Sequence, residues 1–97
     1  MIESFKNSGT EDIFNGVNSK AARKLCPEMI FRVAVRKLDQ IDSVATVEEL
    51  NVPPGNRLEM LSGDREGQYS IRINGQYRVC FFWSGLGAES VEIVDYH

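Results

Sequence analysis

The run Gln68-Tyr69-Ser70-Ile71-Arg72-Ile73-Asn74-Gly75-Gln76-Tyr77-Arg78-Val79-Cys80-Phe81-Phe82-Trp83 constrains this chain more than any other stretch. Apolar and polar residues alternate on both sides of Asn74-Gly75, as in two antiparallel strands joined by a tight turn. A two-residue turn would pair Ile73 with Gln76 and Ile71 with Arg78, mixing apolar and charged side chains on each face. A loop over residues 74–76 instead pairs Ile73 with Tyr77, Ile71 with Val79 and Tyr69 with Phe81. One face is then continuously apolar, and the other carries Gln68, Ser70, Arg72, Arg78 and Cys80. Because a one-residue slip reverses every side chain, burial decides register, and the longer loop is the expectation. Gln76 is a poor residue for the left-handed position such loops often need. Arg72 and Arg78 fall near each other on the polar face.

A sheet with one apolar face requires a cover. From Glu28 onward Ile30, Ala34, Leu38, Ile41 and Ala45 recur at helical spacing, with Phe31 and Val35 widening the stripe. Pro27 suits the first position of this main helix, which should end near Asp42 or Ser43 and serve as core. Thr46-Val47-Glu48-Glu49 reads as a capping box opening a short turn that ends near Leu50. Upstream, residues 2–5 read as a short strand. Thr10 is a plausible N-cap with Glu11 and Asp12 in the first turn, and this helix should stop at Gly16. Residues 18–25 are polar and basic, compatible with a loop, a helix or a mobile segment. Pro53-Pro54-Gly55 makes a stiff elbow. Residues 57–61 form a strand candidate, and residues 62–67 a loop whose glycines flank Arg65. Those glycines suit backbone contacts to a phosphate, and a plain turn explains them equally. Three strands fill the last third, the final one marked by Val91, Ile93 and Val94 before Asp95-Tyr96-His97. The expected class is α+β in one domain over residues 1–97.

Charge argues against the obvious reading of so many arginines. Eleven Lys and Arg face fourteen Asp and Glu, a net charge of −3, whereas nucleic-acid binders are usually basic. Distribution matters more than the sum. Lys20, Arg23 and Lys24 cluster in one segment, and Arg57, Arg65, Arg72 and Arg78 are strung along the β region. The first cluster reads either as a solvated face or as a phosphate-binding arm. No leader peptide or membrane span is apparent. Cys26 and Cys80 lack metal-site spacing and suit a reducing cytoplasm, so neither metal nor cofactor is expected.

The chemistry concentrates where Asp95, Tyr96 and His97 approach the hairpin arginines. Cleaving RNA at a 2′-hydroxyl needs a base for that hydroxyl, an acid for the leaving 5′-oxygen and cations for the phosphorane charge. His97, the chain's only imidazole, is a natural acid or base. Asp95 is suited to orient a partner or accept a proton. Tyr96 is suited to donate a hydroxyl or stack on a base, and Arg78 or Arg72 to clamp the phosphate. A solvated chain end explains the same three residues. Strand alternation sets Tyr96 opposite Asp95 and His97, so all three line one site only if the strand ends near Val94.

Four segments carry a resemblance: Pro53-Pro54-Gly55-Asn56-Arg57-Leu58-Glu59, the loop from Gly63 to Gly67, Ser70-Ile71-Arg72-Ile73-Asn74, and Val91-Glu92-Ile93-Val94-Asp95-Tyr96-His97. Through them the chain resembles the HigB toxins of the RelE/ParE superfamily, in the GraT-like branch, over nearly its whole length. The resemblance implies a microbial RNase-like fold with helices on one side of a curved antiparallel sheet. It implies metal-independent cleavage of messenger RNA in the ribosomal A site. Arg78 matches the family's phosphate-stabilising arginine, and Asp95, Tyr96 and His97 its C-terminal active residues. Arg57, Arg65, Arg72, Lys20, Arg23 and Lys24 are the expected RNA contacts. Where some HigB toxins place a histidine and a lysine before the Gly63 loop, this chain has Glu59 and Ser62, so the base falls to another group. The implied partner is a HigA-type antitoxin, a helix-turn-helix protein that would supply all DNA binding and, facing an acidic toxin, grip it through apolar contacts. Two other readings stand beside the nuclease. A gyrase-type inhibitor needs no acid–base pair, which Asp95-Tyr96-His97 argues against; a catalytically weakened antitoxin-binding module fits Glu59, Ser62 and the negative charge.

Overall fold

The computed structural model describes residues 1–96. Helices α1 (Ser8–Phe14), α2 (Lys20–Leu25) and α3 (Phe31–Ser43) come first, followed by strands β1 (Glu59–Met60), β2 (Tyr69–Arg72), β3 (Tyr77–Trp83) and β4 (Ala88–Asp95). The strands form an antiparallel sheet in the order β1-β2-β3-β4. The helices cover its apolar face, giving the expected α+β architecture. Ala34, Leu38 and Ile41 from α3 share one buried cluster with Ile71, Val79, Phe81, Val91 and Ile93 from the sheet.

The hairpin takes the register that burial favours: Tyr69 opposes Phe81, Ile71 opposes Val79 and Arg72 opposes Arg78. Ile71, Val79 and Phe81 are wholly buried, and each is worth roughly 1.5–3 kcal/mol when taken from water. That outweighs the ~1 kcal/mol scale of turn preferences. No residue in the 74–76 loop adopts a left-handed conformation. Instead the Asn74 side-chain oxygen accepts the backbone N–H groups of Gln76 and Tyr77, each at 2.8 Å. This Asx-type closure removes the demand that made Gln76 look unsuitable.

Several boundaries differ from expectation for identifiable reasons. The cap of α1 is Asn7, whose Oδ1 accepts the Thr10 N–H at 2.9 Å. Thr10 is instead fully buried, its hydroxyl accepting the Ile93 N–H of β4 at 3.1 Å. Residues 20–25 are helical because Ser19 caps them, accepting the Ala22 N–H at 3.0 Å while donating to Asp12 at 2.6 Å. Glu28–Ile30 form a 3-10 turn, Pro27 lies ahead of it in extended conformation, and α3 proper starts at Phe31. Ala45 lies beyond the helix and is exposed. The capping box at Thr46 and Glu49 is present and opens a 3-10 turn, Val47–Asn51. The N–H groups of Thr46 and Ala45 hold the Glu49 carboxyl below the usual range.

Residues 2–5 make two isolated parallel bridges, Ile2 to Ala88 and Phe5 to Val91, rather than a strand. The cause lies in β4. Two residues of β3, Cys80 and Phe82, span Glu92 to Glu89 with one residue extra, and Ser90 has φ +52. This bulge turns both Ala88 and Val91 to the outer edge, where Glu3 N–H, Lys6 N–H and the Met1 and Ser4 carbonyls bond them. The N-terminal segment thereby shields the β4 edge. Among the described residues no helix is long and apolar enough to cross a membrane.

Candidate active site

The sheet's other face is not an open polar surface. Ser70 and Cys80 are fully buried on it, and Arg78 is only 8% exposed. A guanidinium removed from water must have its donors satisfied. Arg78 Nε donates to Ser70 Oγ at 2.8 Å, and Nη2 donates to the Arg57 carbonyl at 2.6 Å and the Ser70 carbonyl at 3.4 Å. Glu59 Oε1 lies 3.8 Å from Nη2. The Tyr96 ring packs against the guanidinium, 5.7 Å from Cζ to centroid. Nη1 keeps its N–H groups without a partner among the described residues. The Arg57 carbonyl is available because Arg57 itself is left-handed, with φ 47 and ψ 57, at the end of the 3-10 turn Pro54–Asn56.

Around Arg78 lies a pocket of about 240 Å³ lined by Arg57, Glu59, Arg72, Asn74, Gly75, Arg78 and Tyr96. Among the described residues three arginines and one carboxylate line it, a cationic set in a chain whose net charge is −3. Arg72 and Arg78 stand directly opposite across two strands. Like charges in that position repel, and an anion between them relieves the repulsion. A larger groove of about 340 Å³, between the end of α1 and α3, is mainly apolar, with Arg32 its one charged lining residue among those described. It offers no acid–base chemistry.

The expected site residues separate into two groups. Arg57, Arg72, Arg78 and Tyr96 line one pocket. Arg65 does not: it is committed to Glu92 at 2.7 Å and Gln68 at 3.3 Å, and the bond to Glu92 raises its already high pKa. Lys20, Arg23 and Lys24 lie exposed on α2, with Arg23 bonded to the backbone and side chain of Asn18 at 2.9 Å, and none lines the pocket. Because β4 continues through Asp95, alternation turns that carboxylate to the Tyr77 side of the sheet. There Gln76 Nε2 donates to it at 3.1 Å. Burial and the nearby Asp95 charge push the Tyr77 phenol up. Asp95 therefore does not line the pocket beside Tyr96, and His97 lies outside the described residues. Ser62 is exposed ahead of the Gly63–Arg65 turn, whereas Glu59 reaches the pocket. Ser70, Asn74 and Gly75 also contribute; the Asn-Gly signal announces a turn and says nothing of a lining.

A sequence model of the HigB-like toxins, described as the RelE-like toxin of the type II toxin–antitoxin system HigB, matches residues 3–97. The chain belongs to the HigB family of RelE-like toxins. Toxin HigB-1 of Vibrio cholerae is 36% identical over 83 residues, which cover 86% of this chain and 84% of that one. Endoribonuclease HigB of Proteus vulgaris is 34% identical over 98 residues, the full length of both. An uncharacterised protein of Haemophilus influenzae is 40% identical over 55 residues, 57% of this chain and 54% of its own. As a HigB-family member the chain is the toxin of a type II toxin–antitoxin pair.

Proposed function

We propose that this HigB-family toxin is a ribosome-dependent endoribonuclease that cleaves messenger RNA in the cytoplasm, and that the Arg78 pocket is where the phosphodiester is held. The supporting observation is the buried, fixed Arg78 guanidinium facing Arg72 across the strand pair in an otherwise acidic chain. The endoribonuclease name of the Proteus vulgaris relative agrees with it.

In the reaction, the 2′-oxygen attacks phosphorus as its proton leaves to a base, and the bond to the 5′-oxygen breaks as an acid protonates it. The products are a 2′,3′-cyclic phosphate and a 5′-hydroxyl. Arg78 and Arg72 stabilise the charge that builds on the non-bridging oxygens. Among the described residues Glu59 is the one carboxylate lining the pocket, and it takes the role of base. Tyr96 is 41% exposed against Arg78 and offers its ring to a nucleobase. His97, next in the chain, is assigned the acid. Asp95 acts indirectly, by fixing the Gln76 side chain while the Gln76 carbonyl accepts the Tyr96 N–H at 2.7 Å. The antitoxin partner is assigned to the HigA type.

The test is cleavage of a defined message on purified programmed ribosomes, with the product ends identified. Wild-type protein should yield cyclic phosphate and 5′-hydroxyl ends without added metal. Arg78→Ala should cut at least about a hundred-fold more slowly. Equal cleavage by Arg78→Ala, or cleavage without ribosomes at the same rate, contradicts the proposal.

A further inference from the structure

We infer that Ser70 and Arg57 are positioning residues for Arg78, and that Arg57 acts through its main-chain carbonyl rather than only through its side chain. The inference rests on the reading of Arg78 as the phosphate-holding group. Two observations carry it. Ser70 is 0% exposed, and its hydroxyl accepts from Arg78 Nε at 2.8 Å. A serine hydroxyl buried in a β-strand is costly unless it is used, and this bond is its use. Arg57 is one of two non-glycine residues with positive φ among those described, the other being Ser90 at the β4 bulge. A residue with a Cβ is strained in the left-handed region. The left-handed ψ of Arg57 sets the direction of its carbonyl, which accepts from Nη2 at 2.6 Å.

Together these bonds fix one edge of the guanidinium plane, Nε and Nη2, and leave the Nη1 corner for a ligand. An arginine side chain otherwise loses several rotatable bonds' worth of freedom on meeting a phosphate. Holding it in place beforehand lets that cost fall on folding instead of on catalysis, and a misplacement of about 1 Å can cost a hundred-fold in rate. The strain at Arg57 is thus tied to function by a specific contact.

The substitutions Arg57→Gly and Arg57→Val separate carbonyl from side chain. Both remove the guanidinium, so any loss of RNA contact is common to them. Glycine keeps the left-handed conformation freely, whereas valine is driven out of it. Single-turnover cleavage at saturating programmed ribosomes should be about ten-fold or more slower for Arg57→Val than for Arg57→Gly, with half-saturating concentrations alike. Ser70→Ala should slow cleavage by a similar factor, and Ser70→Thr should restore part of it. In an Arg78→Ala background the difference between the two Arg57 variants should shrink to within about two-fold. Nitrogen-15 NMR of the arginine Nε–H groups gives a readout independent of activity. The Arg78 signal should be slow to exchange in the wild type and in Arg57→Gly, and fast in Ser70→Ala and Arg57→Val. Equal rates and equal exchange for the two Arg57 variants overturn the inference. So does a rate difference that persists undiminished without Arg78. If residual cleavage in the Arg78→Ala background is too slow to measure, the exchange rates decide. If Ser70→Ala does not fold, the Arg57 pair decides alone. Wild-type cleavage by Arg78→Ala itself overturns the nuclease site beneath, an outcome distinct from the others.

Discussion

Asn56→Ala should destabilise this protein far more than an average single substitution. Asn56 is fully buried in the elbow after the Val47–Asn51 turn. Its Oδ1 accepts from Lys37 Nζ at 2.6 Å, and its Nδ2 donates to Gln40 Oε1 at 3.0 Å, the Leu50 carbonyl at 3.1 Å and the Val52 carbonyl at 3.4 Å. One side chain therefore ties α3 to the segment that delivers Arg57. Truncation strands the Leu50 carbonyl, while Lys37 and Gln40, both only partly buried, regain water. Counting about 1 kcal/mol for each of the two firm neutral bonds and a discounted 1–2 kcal/mol for the charged one gives a loss of roughly 3–4 kcal/mol. For a domain of this size that lowers the melting temperature by about 12–30 °C. Asn56→Asp should do no better, because it keeps the acceptor for Lys37 but sets a carboxylate against two carbonyl oxygens. Urea unfolding followed by circular dichroism measures this as a fall in midpoint at unchanged slope. An Asn56→Ala midpoint equivalent to less than about 1 kcal/mol of loss, or an Asn56→Asp protein as stable as wild type, refutes the reasoning.

Burial pushes the Cys26 thiol up to about 11, and burial raises Cys80 as well. An unfolded thiol ionises near ~8.5, so the folded state holds its proton more tightly. The stability this confers is full below about pH 8.5 and is lost as pH rises toward 11; unfolding melts at pH 8 and 10.5 should show the loss, and Cys26→Ala should flatten it. An unchanged alkaline slope in Cys26→Ala assigns the loss to other groups. Arg65→Ala leaves the Glu92 carboxylate, 10% exposed, with Lys6 at 3.9 Å as its remaining cation among the described residues. It should cost about 1–3 kcal/mol of stability while lowering cleavage per folded molecule less than ten-fold; a stable but inactive Arg65→Ala protein would place Arg65 on the RNA instead.

The sheet was legible because burial and alternation act locally. Ile71, Val79 and Phe81 leave one register that buries them, and Ala34, Leu38 and Ile41 leave one helix face. Capping was half legible. Thr46 and Glu49 lie within one turn and announce themselves, whereas Thr10 looks like a cap and is taken by the Ile93 N–H, 83 residues away. The strand expected at residues 2–5 fails as a ladder because the Ser90 bulge breaks its partner's periodicity. At the site, the pairing of Arg72 with Arg78 follows from register, but the Glu92 partner that removes Arg65 from the pocket does not. Nor does the left-handed turn at Arg57, which ordinary propensity opposes. The division of Tyr96 from Asp95 hinged on where β4 ends, and it ends at Asp95.

The claim that matters most is that Arg78 is the charge on which RNA cleavage depends. Mapping of RNA 5′ ends in translating cells tests it most directly, with wild-type protein induced briefly beside Arg78→Ala and a variant truncated before Asp95. New cuts confined to translated codons, present for wild type and absent for both variants, are the expected result. Growth arrest without new cuts, or cuts that persist in Arg78→Ala at wild-type frequency, contradicts the account.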